Sequence, residues 1–298
     1  MKDRLVEFGY AAGWRLVRAL PLPAARALFN AAADRSFRGN GPGTQRLRGN
    51  LRQVVGPDLP DAELEKLVRA GLRSYARYWM EAFRLPSRSP AQHQTDFRME
   101  QETEFNAVLA EGKGMIVALP HLANWDAAAA WAVANGHKLV TVAERLKPEA
   151  VYRQFLAYRE KLGMEVIPLT GGRRAPLDAL AERATQGYAV VLLADRDLSA
   201  RGVEVRFFGA RTRMPLGPAL LAIRTGAPLY ACNLRFTDTQ TVGLLHRIEL
   251  PAESDGPLDV RIKIATQRIA DAFAIGIAEH PQDWHMLQKM WLDQPARV

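Results

Sequence analysis

The chain has a single cysteine, Cys232, among its 298 residues. An intramolecular disulfide is therefore excluded, and no clustered cysteine–histidine set is available for a structural zinc site. Cys232 lies in an apolar run, where a thiol serves as core filler, and such usage fits a reducing compartment. No apolar run approaches the roughly 18–20 residues that cross a bilayer. Lys2, Asp3, Arg4, Glu7, Arg15 and Arg18 interrupt any signal-peptide core. A soluble or peripheral protein is expected. Gly-x-Ser-x-Gly is missing, so there is no nucleophile elbow. The Lys-Ser/Thr of a P-loop and the glycine spacing of a dinucleotide fingerprint are missing too. No internal repeat or low-complexity segment is found.

What is present is ordinary in bulk and uneven in detail. Apolar residues make up 48% and charged residues 24%, as in soluble globular chains. The net charge is +8, and residues 1–58 hold ten Lys and Arg against four acids. A basic end suits nucleic acid or an anionic membrane surface. Here Leu5, Phe8, Trp14, Val17, Leu20, Leu28 and Phe29 give the same segments apolar faces flanked by arginine. That pattern fits an interfacial helix, or a surface helix packed on a core. No nucleic-acid recognition motif accompanies the charge, so nucleic acid is not an expected partner.

Along the chain, periodicity predicts helices over 2–20, 23–38 and 43–55, then one from Asp61, as its cap, to about Leu85. Pro86 and Pro90 are expected to end it. The first hundred residues form a helical N-terminal cap. From about residue 100, strands and helices alternate. Strands are expected at 114–119, 139–143, 165–168, 189–194, 228–235 and 241–249, the last two paired. Helices are expected at 125–135, 148–162, 175–186, 216–225 and 257–279. This is the α/β class: a central, mostly parallel β-sheet flanked by helices, in one domain spanning 1–298.

The informative stretch is Gly114 to Asp126. An apolar strand stops at Pro120, His121 follows, and Asp126 opens an alanine-rich helix. On one continuous helix, positions five apart sit roughly 140° apart. With His121 in the turn, its imidazole can instead fold toward Asp126. An imidazole held by a carboxylate is a general base, and ligands in open α/β sheets sit at the carboxyl ends of strands. A His–Asp pair at this spacing also arises by chance. Other strand ends carry Glu144-Arg145, the glycine turn 169–174, and Asp195-Arg196-Asp197. The glycine turn is either a phosphate cradle or a solvated loop. Val203 to Gly209 suits a lipid or a buried edge equally. His93, His137, His246, His280 and His285 read as structural or solvated.

These residues resemble a known family. His121-Leu-Ala-Asn-Trp-Asp126 is similar to the H-x-x-x-x-D motif of glycerolipid acyltransferases and of lipid A biosynthesis acyltransferases. Pro120 to Asp126, Ala143 to Lys147, Arg159 to Gly163, Ala194 to Leu198 and Phe207 to Gly209 look closest to actinobacterial phosphatidylinositol mannoside acyltransferases. The resemblance covers nearly the whole chain. It implies a monomeric peripheral enzyme on the cytoplasmic face of the cell (inner) membrane. It would move a fatty acyl group, typically palmitoyl, from acyl-CoA to a mannose hydroxyl of a phosphatidylinositol mannoside, with no cofactor and no metal. Another glycolipid acceptor, or lipid binding without turnover, are the alternatives. His121 matches the family's catalytic histidine and Asp126 its motif aspartate. Asp195 is the best match by position for a later acidic residue, with Glu204 second. Glu144 and Arg159 match charged groove residues, and Asn124 and Arg196 complete the expected substrate-binding set.

Overall fold

Met115–Leu119 is five apolar residues without alternation, and all five are buried. Strands that read this way are covered on both faces and paired on both edges. The computed structural model describes residue 14 and residues 16–143, 156–171, 174–197 and 201–293. The strands are β1 (Phe97–Met99), β2 (Met115–Leu119), β3 (Leu139–Ala143), β4 (Glu165–Pro168), β5 (Ala189–Leu193), β6 (Val203–Phe207), β7 (Ala210–Met214), β8 (Leu229–Phe236) and β9 (Thr241–Ile248). Seven of them form one sheet in the order β1-β9-β8-β2-β5-β3-β4. Neighbours are parallel except for the β8–β9 pair. β2 and β5 run in register from Met115↔Ala189 to Leu119↔Leu193. Both strands therefore end at the same height, at the sheet's centre.

The helices are α1 (Leu22–Gly39), α2 (Pro42–Val55), α3 (Asp61–Arg84), α4 (Pro90–Asp96), α5 (Glu102–Ala110), α6 (Trp125–Ala134), α7 (Pro176–Thr185), α8 (Gly217–Thr225) and α9 (Leu258–Glu279). The α/β expectation and the N-terminal helices stand. The expected helix over 2–20 falls largely outside the described residues. So does the first half of the helix over 148–162, of which residues 156–161 are helical. In the N-terminal part, Leu47 and Leu51 of α2 meet Leu64, Val68 and Leu72 of α3 in a core of their own.

Two local expectations need correction, and a third segment is now placed. Asp61 does not cap α3: the cap position is Pro60, and Asp61 ion-pairs with Arg52. Pro90 does not merely end a helix; it opens α4, with Ser89 and Gln92 forming a capping box. Proline is well suited to a first helical position because the N–H it lacks has no partner there. The segment Val203 to Gly209 is one arm of a separate hairpin, β6–β7. Phe208 and Gly209 both take positive φ, as a two-residue hairpin turn demands.

Candidate active site

β2 stops at Leu119 and β5 at Leu193, and the backbone N–H of Ala194 still donates to Leu119 O at 2.8 Å. Two residues beyond each strand end, His121 and Asp195 therefore meet. The imidazole Nδ1 lies 2.6 Å from Asp195 Oδ1, and the His121 backbone N–H donates to Oδ2 at 2.9 Å. The indole N–H of Trp284 donates to the same Oδ2 at 2.9 Å. Asp195 is fully buried and His121 partly exposed. Burial pushes the Asp195 carboxyl up, but the His121 charge and these hydrogen bonds outweigh it and hold it below its ordinary value. An ionised carboxylate can only accept, so Nδ1 carries the proton. In the neutral imidazole this tautomer leaves the lone pair on Nε2, which is the state a general base needs.

The carboxylate that holds the imidazole is thus Asp195 and not Asp126. Asp126 is buried in the first turn of α6 and accepts from Arg159 Nε at 2.9 Å and from the Tyr78 hydroxyl at 3.0 Å. Burial first, then the Asp126 charge, pushes the Tyr78 phenol well above its ordinary value, so it stays a donor. Burial disfavours the Arg159 cation, yet Asp126 raises it above its ordinary value. The pair is compensated internally, and it ties α6 to the helical residues 156–161.

The turn between His121 and α6 is held by the C-terminal segment. Leu122 bridges to Trp284, Ala123 N–H donates to Asp283 O at 2.8 Å, and His285 N–H donates to His121 O at 2.8 Å. Ala123 sits at φ +48°, a conformation a non-glycine residue keeps only when its surroundings fix it. Asn124 is fully buried. Its Oδ1 caps α6 by accepting from Ala127 N–H, and its Nδ2 donates to Glu81. Its carboxamide is therefore engaged within the protein. Glu144 lies outside the described residues. Glu204 pairs with Arg211 on the β6–β7 hairpin, away from His121.

His285 is structural, one of the two roles its sequence position allows. Its Nε2 lies 2.9 Å from Ser74 Oγ, which donates to Asp283 at 2.7 Å. Burial, then the His121 charge, pushes His285 down to about 3. The unfolded chain binds this proton near pH 6.5, the folded chain only near 3, so stability is full above 6.5 and is lost as pH falls. Urea melts at pH 7 and pH 5 should show about 2 kcal/mol more acid destabilisation in the wild type than in His285→Gln.

Beside His121 lies a cavity of about 550 Å³. It opens among the carboxyl ends of β2, β3 and β5, where Leu119, Val142 and Leu193 line it. Most of its wall is aliphatic; His121, Asp126, Arg159 and Arg196 supply polar groups. A largely aliphatic cavity lined by a carboxylate-held histidine is compatible with acyl chemistry. The sequence profile of bacterial lipid A biosynthesis acyltransferases matches residues 2–293. The chain belongs to this acyltransferase family. Among its relatives is a phosphatidylinositol mannoside acyltransferase of Mycolicibacterium smegmatis, 47% identical over 97% of this chain and 92% of the relative. A protein of the same name from Mycobacterium tuberculosis is 45% identical over 96% of this chain and 88% of its own length. His121 and Asp126 stand at H-x-x-x-x-D spacing. The structure adds Asp195, Trp284, Tyr78 and Glu81 around them, of which sequence reasoning reached only Asp195.

Proposed function

We propose that this protein transfers a fatty acyl group from acyl-CoA to a mannose hydroxyl of a phosphatidylinositol mannoside. The observation that carries the reaction class is His121, its Nδ1 bound by buried Asp195, facing a largely aliphatic cavity. The names of the mycobacterial relatives support the acceptor. The hydroxyl gives its proton to His121 Nε2 as its oxygen attacks the thioester carbonyl. The resulting imidazolium is balanced by Asp195. Collapse of the tetrahedral adduct breaks the C–S bond, and the thiolate leaves, taking the proton from His121 if it needs one. No covalent acyl-enzyme enters this scheme.

The cavity supplies the walls for the acyl chain. Ala129, on α6, is one of them. Ala129→Leu adds three carbons, each displacing about one methylene worth ~0.8 kcal/mol. The preference for palmitoyl over a chain three carbons shorter should fall roughly fifty-fold in kcat/KM, read by competing the two acyl-CoAs.

No helix among the described residues is long and apolar enough to cross a membrane. We place the protein at the cytoplasmic face of the cell membrane, acting as a monomer. In α1 only Ala25 and Ala33 are buried, while Leu22 and Leu28 are exposed, as is Leu16 before it. With Arg26, Arg35 and Arg38 on the same helix, this surface suits an anionic bilayer. The test of the whole reading is transfer of labelled palmitoyl from CoA by purified protein to a panel of glycolipids. Acylated phosphatidylinositol mannoside is expected. Acylation of another glycolipid alone, or thioester hydrolysis without any acylated lipid, would overturn the acceptor assignment.

A further inference from the structure

A second, smaller recess of about 300 Å³ adjoins the main cavity, and Arg196 and Asp197 line both. These residues directly follow Asp195, so the recess begins within one or two residues of the carboxylate that holds His121. Its remaining walls come from β7 and the C-terminal segment, which are fastened together. Thr212 Oγ1 donates to Met290 O at 2.7 Å, Thr212 bridges to Trp291, and Leu292 N–H donates to Arg211 O at 2.9 Å. Asp197 is held as well, accepting from Gly202 N–H at 2.8 Å.

The charge of this recess is one-sided. Arg196, Arg213 and Lys289 line it against the single acid Asp197. Cations nearby are compensated: Arg211, two residues from Arg213 on β7, pairs with both Glu204 and Asp293. Arg213 and Lys289 have no acidic partner among the described residues. Two cations that form no ion pair, one on β7 and one on the C-terminal segment fastened to it, suit a dianionic or diester phosphate, which offers several acceptor oxygens at once; Glu204, which faces Arg213 across the hairpin, is taken by Arg211.

We propose that this recess binds a phosphate group of a substrate whose reacting end lies at His121. The inference rests on the acyl-transfer reading, which supplies two phosphate sources: the nucleotide half of the acyl donor and the phosphodiester of the acceptor lipid. The recess fixes one of them while the main cavity holds the acyl chain.

Calorimetric titration of the intact protein with free coenzyme A, with pantetheine and with glycerophosphoinositol tests this without turnover. One phosphorylated probe is expected to bind. Its affinity should fall about tenfold in each of Arg213→Gln and Lys289→Gln, and fall again in high salt. Loss of coenzyme A binding, with pantetheine unaffected, assigns the recess to the donor; loss of glycerophosphoinositol binding assigns it to the acceptor. Both side chains are exposed, so the fold should survive both changes. Unchanged binding in both variants, or no binding of either phosphorylated probe to the wild type, would overturn the proposal. Failure of the acyl-transfer reading would instead show as absent lipid acylation by wild-type protein that still binds a probe.

Discussion

His121→Gln is expected to lower acyl transfer by about a thousandfold while leaving the fold intact. General-base catalysis contributes roughly 10²–10⁴ in rate, and in the proposed reaction His121 supplies the base for the acceptor hydroxyl. The imidazole is partly exposed and is held by one side chain, Asp195. The backbone contacts that fix its turn, His285 N–H to His121 O and His121 N–H to Asp195, do not depend on the ring. Binding of the acyl donor, carried by the aliphatic cavity, should persist. The measurement is kcat and KM for transfer, with circular dichroism and a melting curve as the check on folding.

Asp195→Asn is the second large effect, and its direction follows from hydrogen-bond geometry. Asp195 Oδ2 accepts two donors, the His121 backbone N–H and the Trp284 indole N–H. An asparagine must therefore place its oxygen there. Its amide nitrogen then lands where Oδ1 stood, 2.6 Å from His121 Nδ1 in the wild type. That nitrogen can only donate, so Nδ1 loses its proton and Nε2 gains one. The base is then in the wrong tautomer, and the imidazolium would lack its counter-charge. A fall of about a thousandfold in kcat is expected, with KM little changed. Nitrogen NMR of the His121 ring should show the protonated nitrogen moving from Nδ1 to Nε2. A variant with wild-type kcat would remove Asp195 from the mechanism.

The parts of this site that could be read from the sequence were those encoded locally. Five consecutive apolar residues ending at Pro120, and another run ending at Leu193, mark two buried strands and the height at which their polar successors emerge. Asn124 ahead of an alanine-rich segment marks a helix start. What could not be read is which strand lies beside which. Spacing alone offered Asp126 to His121, because the two are five residues apart. The sheet order places β5 next to β2 in matched register, and this hands His121 to Asp195, 74 positions along the chain. Asp126 is turned instead toward Arg159 and Tyr78.

The same reasoning covers the remaining misses. Periodicity on α3 revealed an apolar stripe, and its first half does pack on α2. Its second half carries Ser74, Tyr78 and Glu81 into contact with Asp283, Asp126 and Asn124. Helical spacing says which residues share a face, but not that a helix of this length runs on from one core to the active site. In the sequence Trp284 is one aromatic beside His285, with no motif around it. Its N–H completes the shell of Asp195 only because residues 283–285 lie along the His121 turn, a contact between distant segments that no local signal announces.

In the proposed reaction the acceptor hydroxyl, deprotonated by His121, attacks the thioester directly. A single turnover with labelled palmitoyl-CoA and a phosphatidylinositol mannoside, quenched at successive times, tests it most directly. The label should pass from CoA to the lipid ester without residing on the protein at any time. Label bound covalently to the protein before it appears in lipid would contradict direct transfer.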